Sequence, residues 1–314
     1  MPLVTVIMPS YNHERYISEA IESVLNQTFS DFELIIIDDA SKDKSKEIIK
    51  IYKEKESRIR AIFHDENKGI ARTMNEGLEK ANGKFIALFS SDDLWVRDKL
   101  VKQLNILMKD DNLIVWSEGL IIDEKGVHSG KKFTQMHEAT KKKRGGNIFE
   151  ELLRGNFICG QSVILKKENL KNIRYDERLK YLNDYKFMID LAKNYNFYFI
   201  SEPLAMYRIH GANTISSDRY GWSEDRILVG KYFLQKYGER LQNKIKSKIN
   251  FNISNGYSNI GKRKEAIYYL YQAIMLNPFC YENLIYAIIS LTNEDGNIRK
   301  FLRSFYQKLF SKNV

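Results

Sequence analysis

Residues 84–95, KFIALFSSDDLW, decide how the chain folds. Residues 85–89 form a hydrophobic run of strand length that stops at two hydroxyls and two acids, Ser90, Ser91, Asp92 and Asp93. In open α/β sheets ligands gather beyond the carboxyl ends of strands, and adjacent hard oxygen ligands suit Mg²⁺ or Mn²⁺ carrying a diphosphate. The same S-D-D also reads as a helix start near Trp95, with Asp92 as its cap. Both readings stay open until the neighbouring strands are placed.

Working back toward the N-terminus, residues 3–9, LVTVIMP, read as a first strand broken by Pro9, Ser10, Tyr11 and Asn12. A helix from Glu14 carries the stripe Tyr16, Ile17, Ala20, Ile21, Val24 and Leu25. Residues 33–37, ELIII, form a second strand ending in Asp38 and Asp39, followed by a helix over 43–55 and a strand near 59–63. Asn67, Lys68 and Gly69 make a turn into a helix over 70–81, which Asn82 and Gly83 close. Strands and helices alternating on short connections predict a parallel sheet covered on both faces, with right-handed crossovers. Ser10, Tyr11, Asn12, Asp38, Asp39 and residues 90–93 then share one rim, which has the character of a nucleotide pocket. There is no G-x-G-x-x-G after the first strand and no G-K-[ST] loop, so dinucleotide and Walker-type ATP sites are disfavoured.

Toward the C-terminus, residues 113–122 predict a strand, 123–126 a turn, and 127–147 a polar, mobile stretch. A helix over 148–154, a strand at 162–165, a helix beginning at Asp184 and a short strand before Tyr207 follow. From about Ser223 the chain reads as helical, over 227–237 and then 241–257. Residues 261–278 resemble the second half of a tetratricopeptide helix pair, with Gly261, Ala266, Ala273 and Pro278 at the small and breaker positions. Residues 298–310 put Ile298, Phe301, Leu302, Phe305, Tyr306 and Leu309 on one face beside Arg299, Lys300, Arg303 and Lys308. That pattern fits an interfacial membrane helix and equally a terminal helix docked on its own core.

The chain of 314 residues is long enough for two domains, and 43% hydrophobic with 29% charged residues fits a globular protein. Of the net charge of +10, most lies in residues 228–314, which carry 14 Lys and Arg against 5 Asp and Glu. The main domain therefore lacks the charge of a nucleic-acid groove, and KKKR at 141–144 reads as a solvated loop. Cys159 and Cys280 lie in distant segments and suggest neither a disulfide framework nor zinc. No apolar run approaches the ~18 residues of a membrane span, and no signal peptide precedes the first strand, so a cytosolic protein is expected.

Five stretches in this order resemble the family 2 glycosyltransferases with the GT-A fold: VTVIMPSYN at 4–12, ESVLNQTFSDFELIIIDDAS at 22–41, NKGIARTMNEGL at 67–78, SSDD at 90–93 and YRIHGANTIS at 207–216. The resemblance implies a GT-A, Rossmann-like α/β domain over 1–222 with a mixed, mainly parallel sheet. Its nucleotide-binding half would be 1–93 and its acceptor-binding half 94–222, with a helical, tetratricopeptide-like extension over 223–314. It implies that Tyr11 lies against the base, that Asp39 accepts from a base N–H, that Pro9 shapes the turn and that Arg72 faces base or phosphates, with Asn12 and Ser91 also on the nucleotide. Asp92 matches the last acid of the family's D-x-D and would hold Mn²⁺ or Mg²⁺ with Asp93 and His210. Asp184 matches the general base. Arg208 would neutralise phosphate or tie its loop down.

The sequence departs from the family pattern twice. Ser90 stands where the first acid of D-x-D is usual, and Asn183 replaces the more usual Glu, a position that would bear on acceptor choice. The expected activity is inverting transfer of a sugar from a nucleotide-diphospho-sugar, UDP first, to a glycan or lipid-linked saccharide in surface polysaccharide synthesis such as capsule or lipopolysaccharide. A lipid-linked acceptor would fit peripheral attachment at the inner face of the membrane. The alternative is a GT-A-like scaffold that has lost turnover and acts through its helical tail in an assembly complex, where oligomerisation would also fit.

Overall fold

Val4–Ser10 (β1) and Phe32–Asp38 (β2) are buried along almost their whole lengths, as strands covered on both faces must be. They pair in parallel, with Ile7 level with Ile35, and β2 pairs in parallel with Ile59–Phe63 (β3). Phe85–Leu88 (β4) flanks β1 on the other side, again parallel. The crossovers are Ile17–Leu25 (α1), Ser45–Lys55 (α2) and Ile70–Lys80 (α3). Helix α1 buries Ile17, Ala20, Ile21 and Val24, the apolar stripe predicted from periodicity. The computed structural model describes residues 1–140, 142–211 and 218–280. The expected helix at 298–310 and residues 212–216 of the last family-like stretch lie outside the described residues.

Beyond β4 the sheet becomes mixed. Ile164–Lys166 (β8) runs antiparallel to β4 and to Ile114–Ile122 (β6), which pairs in parallel with Phe197–Arg208 (β9). Leu94–Trp95 (β5) closes the far edge against β9, giving the order β3-β2-β1-β4-β8-β6-β9-β5. A parallel half is thus followed by a mixed half, the kind of sheet that the resemblance implies.

Three local expectations change. Trp95 does not begin a helix: it is held in β5 by pairing with Ala205, its indole donates to Gln161 O at 2.7 Å, and the helix Lys99–Leu107 (α4) starts later. Residues 127–147 are structured in part. His128–Lys132 (β7) pairs with β6, and Phe133–Met136 (α5) follows because the buried Glu118 carboxylate accepts from the Thr134 N–H at 3.1 Å and hydroxyl at 2.5 Å. Strand β9 runs twelve residues rather than a few, since β6 pairs along most of it. The remaining helices of this part are Phe149–Leu153 (α6) and Asn183–Asn194 (α7).

The chain divides into two compact units, Met1–Asn213 and Thr214–Val314. In the second, Arg219–Tyr237 (α8) begins ahead of the expected Ser223 because Asp218 caps it, accepting from Gly221 N at 2.9 Å. Helix α8 packs on Asn243–Asn259 (α9) where Gly256 lets the backbones approach: an added Cβ there would meet Ser223 O at 2.9 Å. Arg263–Leu276 (α10) pairs with α9 in antiparallel fashion, Ser247 bonding Ala273 O and Ser254 bonding Ala266 O, each at 2.7 Å. Ala266 and Ala273 are thus small because the neighbouring helix needs the space.

Gly83 marks the tightest backbone approach in the parallel half, since a Cβ on it would lie 2.4 Å from Thr5 N and 2.7 Å from Val4 C. Both opposing atoms are backbone and cannot rotate away. Gly83→Ala is expected to cost about 2–3 kcal/mol, read as a lowered midpoint in thermal or urea unfolding.

Candidate active site

The carboxyl ends of β1, β2 and β4 share one rim. After β1 the chain turns through Asn12 in a left-handed conformation, φ 56°. Asn12 N–H donates to Ser41 Oγ at 2.9 Å and its Oδ1 accepts from Lys42 N at 2.8 Å, so Asn12 ties the β1 turn to the β2 turn. Pro9 is half-buried and Tyr11 is exposed beside that turn. Asp39 is buried; its Oδ1 meets His64 Nδ1 at 2.7 Å and accepts from Lys68 N at 2.8 Å, while Oδ2 accepts from Gly69 N at 2.9 Å. Asp39 therefore shapes the Asn67–Gly69 turn, and Oδ2 keeps acceptor capacity. Arg72 is exposed and paired with Glu177 at 3.1 Å. Ser10 Oγ is buried on this rim without a hydrogen-bond partner.

At the end of β4 the structure brings together His13, Asp92 and His210, whose ligand atoms all lie within 4.8 Å of one another. His210 Nε2 is 3.1 Å and His13 Nε2 3.9 Å from Asp92 Oδ2. Ser91 Oγ bonds His13 Nδ1 at 2.8 Å, which turns the other ring nitrogen toward Asp92, and Ser90 Oγ donates to Asp92 Oδ1 at 2.5 Å. Burial alone would raise the Asp92 carboxyl, but the His210 hydrogen bond, the nearby His13 and Ser90 outweigh it and hold it below its ordinary value. Burial lowers His13 despite the opposing pull of Asp92. Both shifts favour the deprotonated forms that a cation needs. Two imidazoles and a carboxylate are a mixed donor set that suits a divalent transition ion, Mn²⁺ included.

Asp93 is placed differently from the expectation. It is outside that triad: its Oδ1 accepts from Arg208 N at 2.8 Å, and burial with the adjacent Asp92 charge pushes its carboxyl well above the ordinary range. Arg208 is engaged by the protein itself. Its guanidinium is fully buried, donating to Asp92 O at 2.8 Å, Glu124 O at 3.1 Å and Glu19 Oε2 at 2.7 Å. Of the two roles expected for Arg208, the tie between loops is the one its contacts serve.

Asp184 opens the first turn of α7 and is exposed, while the protein packed around its other sides desolvates it and pushes its carboxyl up to about 6. The Tyr185 N–H, 2.6 Å from Oδ1, pulls the other way. Asn156 Nδ2 reaches Asp184 Oδ2 at 3.5 Å. Asn183 is buried with its amide 3.3 Å from Lys180 O, a helix-entry contact.

His13 and Asn156 are the residues that sequence reasoning passed over. His13 follows P-S-Y-N on the rim, where an imidazole one residue past the turn was the available signal; Asn156 had none, because its relation to Asp184 spans 28 residues. A cavity of about 820 Å³ opens at the other, amino-terminal ends of β1 and β4, beside Leu3, Gly83, Lys84 and Lys166. Lys84 and Lys166 are both paired with Asp111 there, and no part of the rim chemistry reaches it.

Residues 5–215 match the family model described as Glycosyl transferase family 2. Among relatives, a Bacillus subtilis protein named as the putative teichuronic acid biosynthesis glycosyltransferase TuaG is 31% identical over 224 residues, 70% of this chain and 83% of its own length. An uncharacterized glycosyltransferase of Haemophilus influenzae is 37% identical over 193 residues, 62% of this chain and 73% of its own. Two solved structures share the fold at low identity. S. aureus TarS 1–349 in complex with UDP has a TM-score of 0.63 at 20% identity, covering 88% of this chain and 81% of that one. The mannosyltransferase PcManGT from Pyrobaculum calidifontis, in complex with GDP-Man and Mn²⁺, has a TM-score of 0.59 at 16% identity, covering 99% and 88%. With the family match spanning nearly all of the sheet-bearing unit, the chain belongs to the family 2 glycosyltransferases and is a transferase enzyme with the GT-A fold.

Proposed function

We propose that the enzyme transfers a sugar from a UDP-sugar to a saccharide acceptor, with inversion at the anomeric carbon, in the assembly of a surface polysaccharide. The observation that carries the reading is the convergence of His13, Asp92 and His210 at the end of β4; Asp184, with its raised carboxyl, opens α7 in the mixed half that follows. The UDP preference is supported by TarS, a structural neighbour solved with UDP and with UDP-GlcNAc. The polysaccharide class is supported by the teichuronic acid assignment of TuaG.

His13, Asp92 and His210 would hold the divalent cation, which when bound offsets the charge of the departing diphosphate. Asp39 Oδ2 accepts a base N–H, and Tyr11 offers the base a ring face. Arg72 exchanges Glu177 for phosphate oxygen. The acceptor oxygen attacks the anomeric carbon as its proton passes to Asp184. The bond from that carbon to the diphosphate oxygen breaks, and the electron pair leaves on the nucleotide. The two departures from the family pattern do not require a scaffold: Ser90 orients Asp92, and Asn183 secures the entry to α7.

The enzyme is tested by nucleotide release across UDP-, GDP- and dTDP-sugars with and without Mn²⁺. Metal-dependent release from a UDP-sugar, lost in Asp92→Ala, is the expected result; release from other donors only would overturn the UDP preference. His13→Ala is expected to weaken Mn²⁺ binding at least about tenfold in a titration with UDP present, while Asp93→Asn, which keeps an acceptor for Arg208 N–H, changes it little. Asp184→Asn is expected to lower kcat for transfer by ~10²- to 10⁴-fold with UDP-sugar binding retained. An Asp whose folded pKa lies above its unfolded value costs stability once ionised, so the melting point of that variant at pH 7 should hold or rise. In the parent enzyme Asp184 must be ionised to act, so kcat/KM should fall with decreasing pH through about 6; a profile flat down to pH 5 would overturn the raised carboxyl.

A further inference from the structure

The segment joining α6 to β8 holds a buried side chain that the mechanism above does not use. Gln161 sits in a short 3₁₀ turn, Gly160–Ser162, and is 8% exposed. Its backbone is pinned from several sides. Gln161 O accepts from the Trp95 indole at 2.7 Å, Ser162 N–H donates to Cys159 O at 2.9 Å, and Ser162 O accepts from Gln103 Nε2 at 2.7 Å. The Ser162 hydroxyl bridges to Ser117 O at 3.0 Å. Its side-chain amide, by contrast, has a buried Nε2 with no hydrogen-bond partner. Leaving such a donor unpaired costs about 1–3 kcal/mol, and unsatisfied buried groups are rare enough to need a reason.

The surroundings supply one. Strands β4 and β8 pair with Ala87 level with Ile164, and the ladder continues through Leu88 N–H to Val163 O at 3.0 Å. Just beyond that ladder, the Gln161 carbonyl is bonded to the indole of Trp95, two residues past Asp93. Five residues before Gln161 in the same segment, Asn156 is clamped by Ile158 N–H on its Oδ1 at 3.1 Å and directs its Nδ2 at Asp184. Between them, a Cβ added to Gly160 would meet nothing within 4 Å, so the backbone one residue before Gln161 borders open space. Gln161 thus lies on one continuous segment between the bond to Trp95, next to the acidic turn, and the Asn156 contact to Asp184.

In the reading proposed above, on which this inference rests, that interval is where the transferred sugar lies, bonded to the diphosphate on one side and facing the acceptor on the other. We propose that Gln161 is a specificity-determining residue whose side-chain amide hydrogen-bonds one hydroxyl of the donor sugar. A carboxamide both donates and accepts, so it can read a hydroxyl in either role. An apolar side chain of similar volume would fill the same position at lower cost to the folded protein, and would lose the contact.

The test uses the full chain with Gln161→Leu and Gln161→Met. UDP affinity by calorimetry, melting temperature, and kcat and KM are measured for the preferred UDP-sugar and its single-deoxy analogues. The expected result has four parts: an unchanged or higher melting temperature, UDP affinity within about twofold of the parent, a roughly tenfold loss in kcat/KM for the full sugar, and one deoxy analogue on which parent and variant are equal. That last equality is the mark of a direct contact, because removing either partner removes the same interaction. A melting temperature several degrees lower in both variants overturns the inference in favour of a structural amide. Equal proportional losses on every analogue, or none on any, overturn it too. If the parent enzyme itself neither binds UDP nor releases it from any donor, the donor reading fails and takes this inference with it. If the parent is active and the variants match it, only the inference fails.

Discussion

The buried guanidinium of Arg208 is the interaction on which the rest of the site depends. A charge without solvent exposure is tolerated only when its donors are satisfied, and here they are satisfied by separate segments: Asp92 O beyond β4, Glu124 O after β6 and the Glu19 carboxylate on α1. Its own backbone N–H goes to Asp93. One residue at the end of β9 thereby fixes the acidic turn and the helix after β1. Because His210 follows two residues later, the same lock delivers an imidazole to Asp92. The Tyr16 ring, 4.9 Å from the guanidinium, and its contact with His210 at 4.7 Å extend the lock toward His13.

Around this lock the acids divide by role. Asp92 and Asp93 are adjacent, both buried, and shifted in opposite directions. Asp92 has imidazoles and a hydroxyl around it and stays below its ordinary range; Asp93 faces a backbone N–H and its neighbour's charge and is pushed up. Two like charges side by side in a dry turn oppose each other's ionisation, and the surrounding groups favour the charged form at Asp92 over Asp93. Ser90 fits that arrangement: an acid at that position would add another carboxylate to the turn, whereas its hydroxyl donates to Asp92.

Much of the fold was legible because it is written in short-range terms. Apolar runs of strand length, the period of α1 and the Asn-Lys-Gly turn each act within a few residues, and the parallel half follows from them. The misread elements depend on distant partners. Leu94 and Trp95 look like a helix start until β9 pairs with them, and residues 128–136 look like a polar loop until Glu118, buried in β6, supplies a carboxylate for Thr134. Asp92 and His210 were singled out in the chain because family-like stretches contain them, and Asp184 because it matches the family's general base. His13 and Asn156 were not, since their significance lies in what faces them.

By itself the sequence determined the strand and helix order of the parallel half, the family and the acidic turn after β4, because propensity, periodicity and ordered motifs are properties of contiguous residues. Only the tertiary structure decided which side chains converge. It set His13 rather than Asp93 beside Asp92 and His210, made Arg208 a buried tie, and left the Gln161 amide without a protein partner. The physical reason is that a carboxylate's direction and a buried amide's satisfaction are fixed by atoms that the chain brings together from as many as 197 residues apart, the separation between His13 and His210.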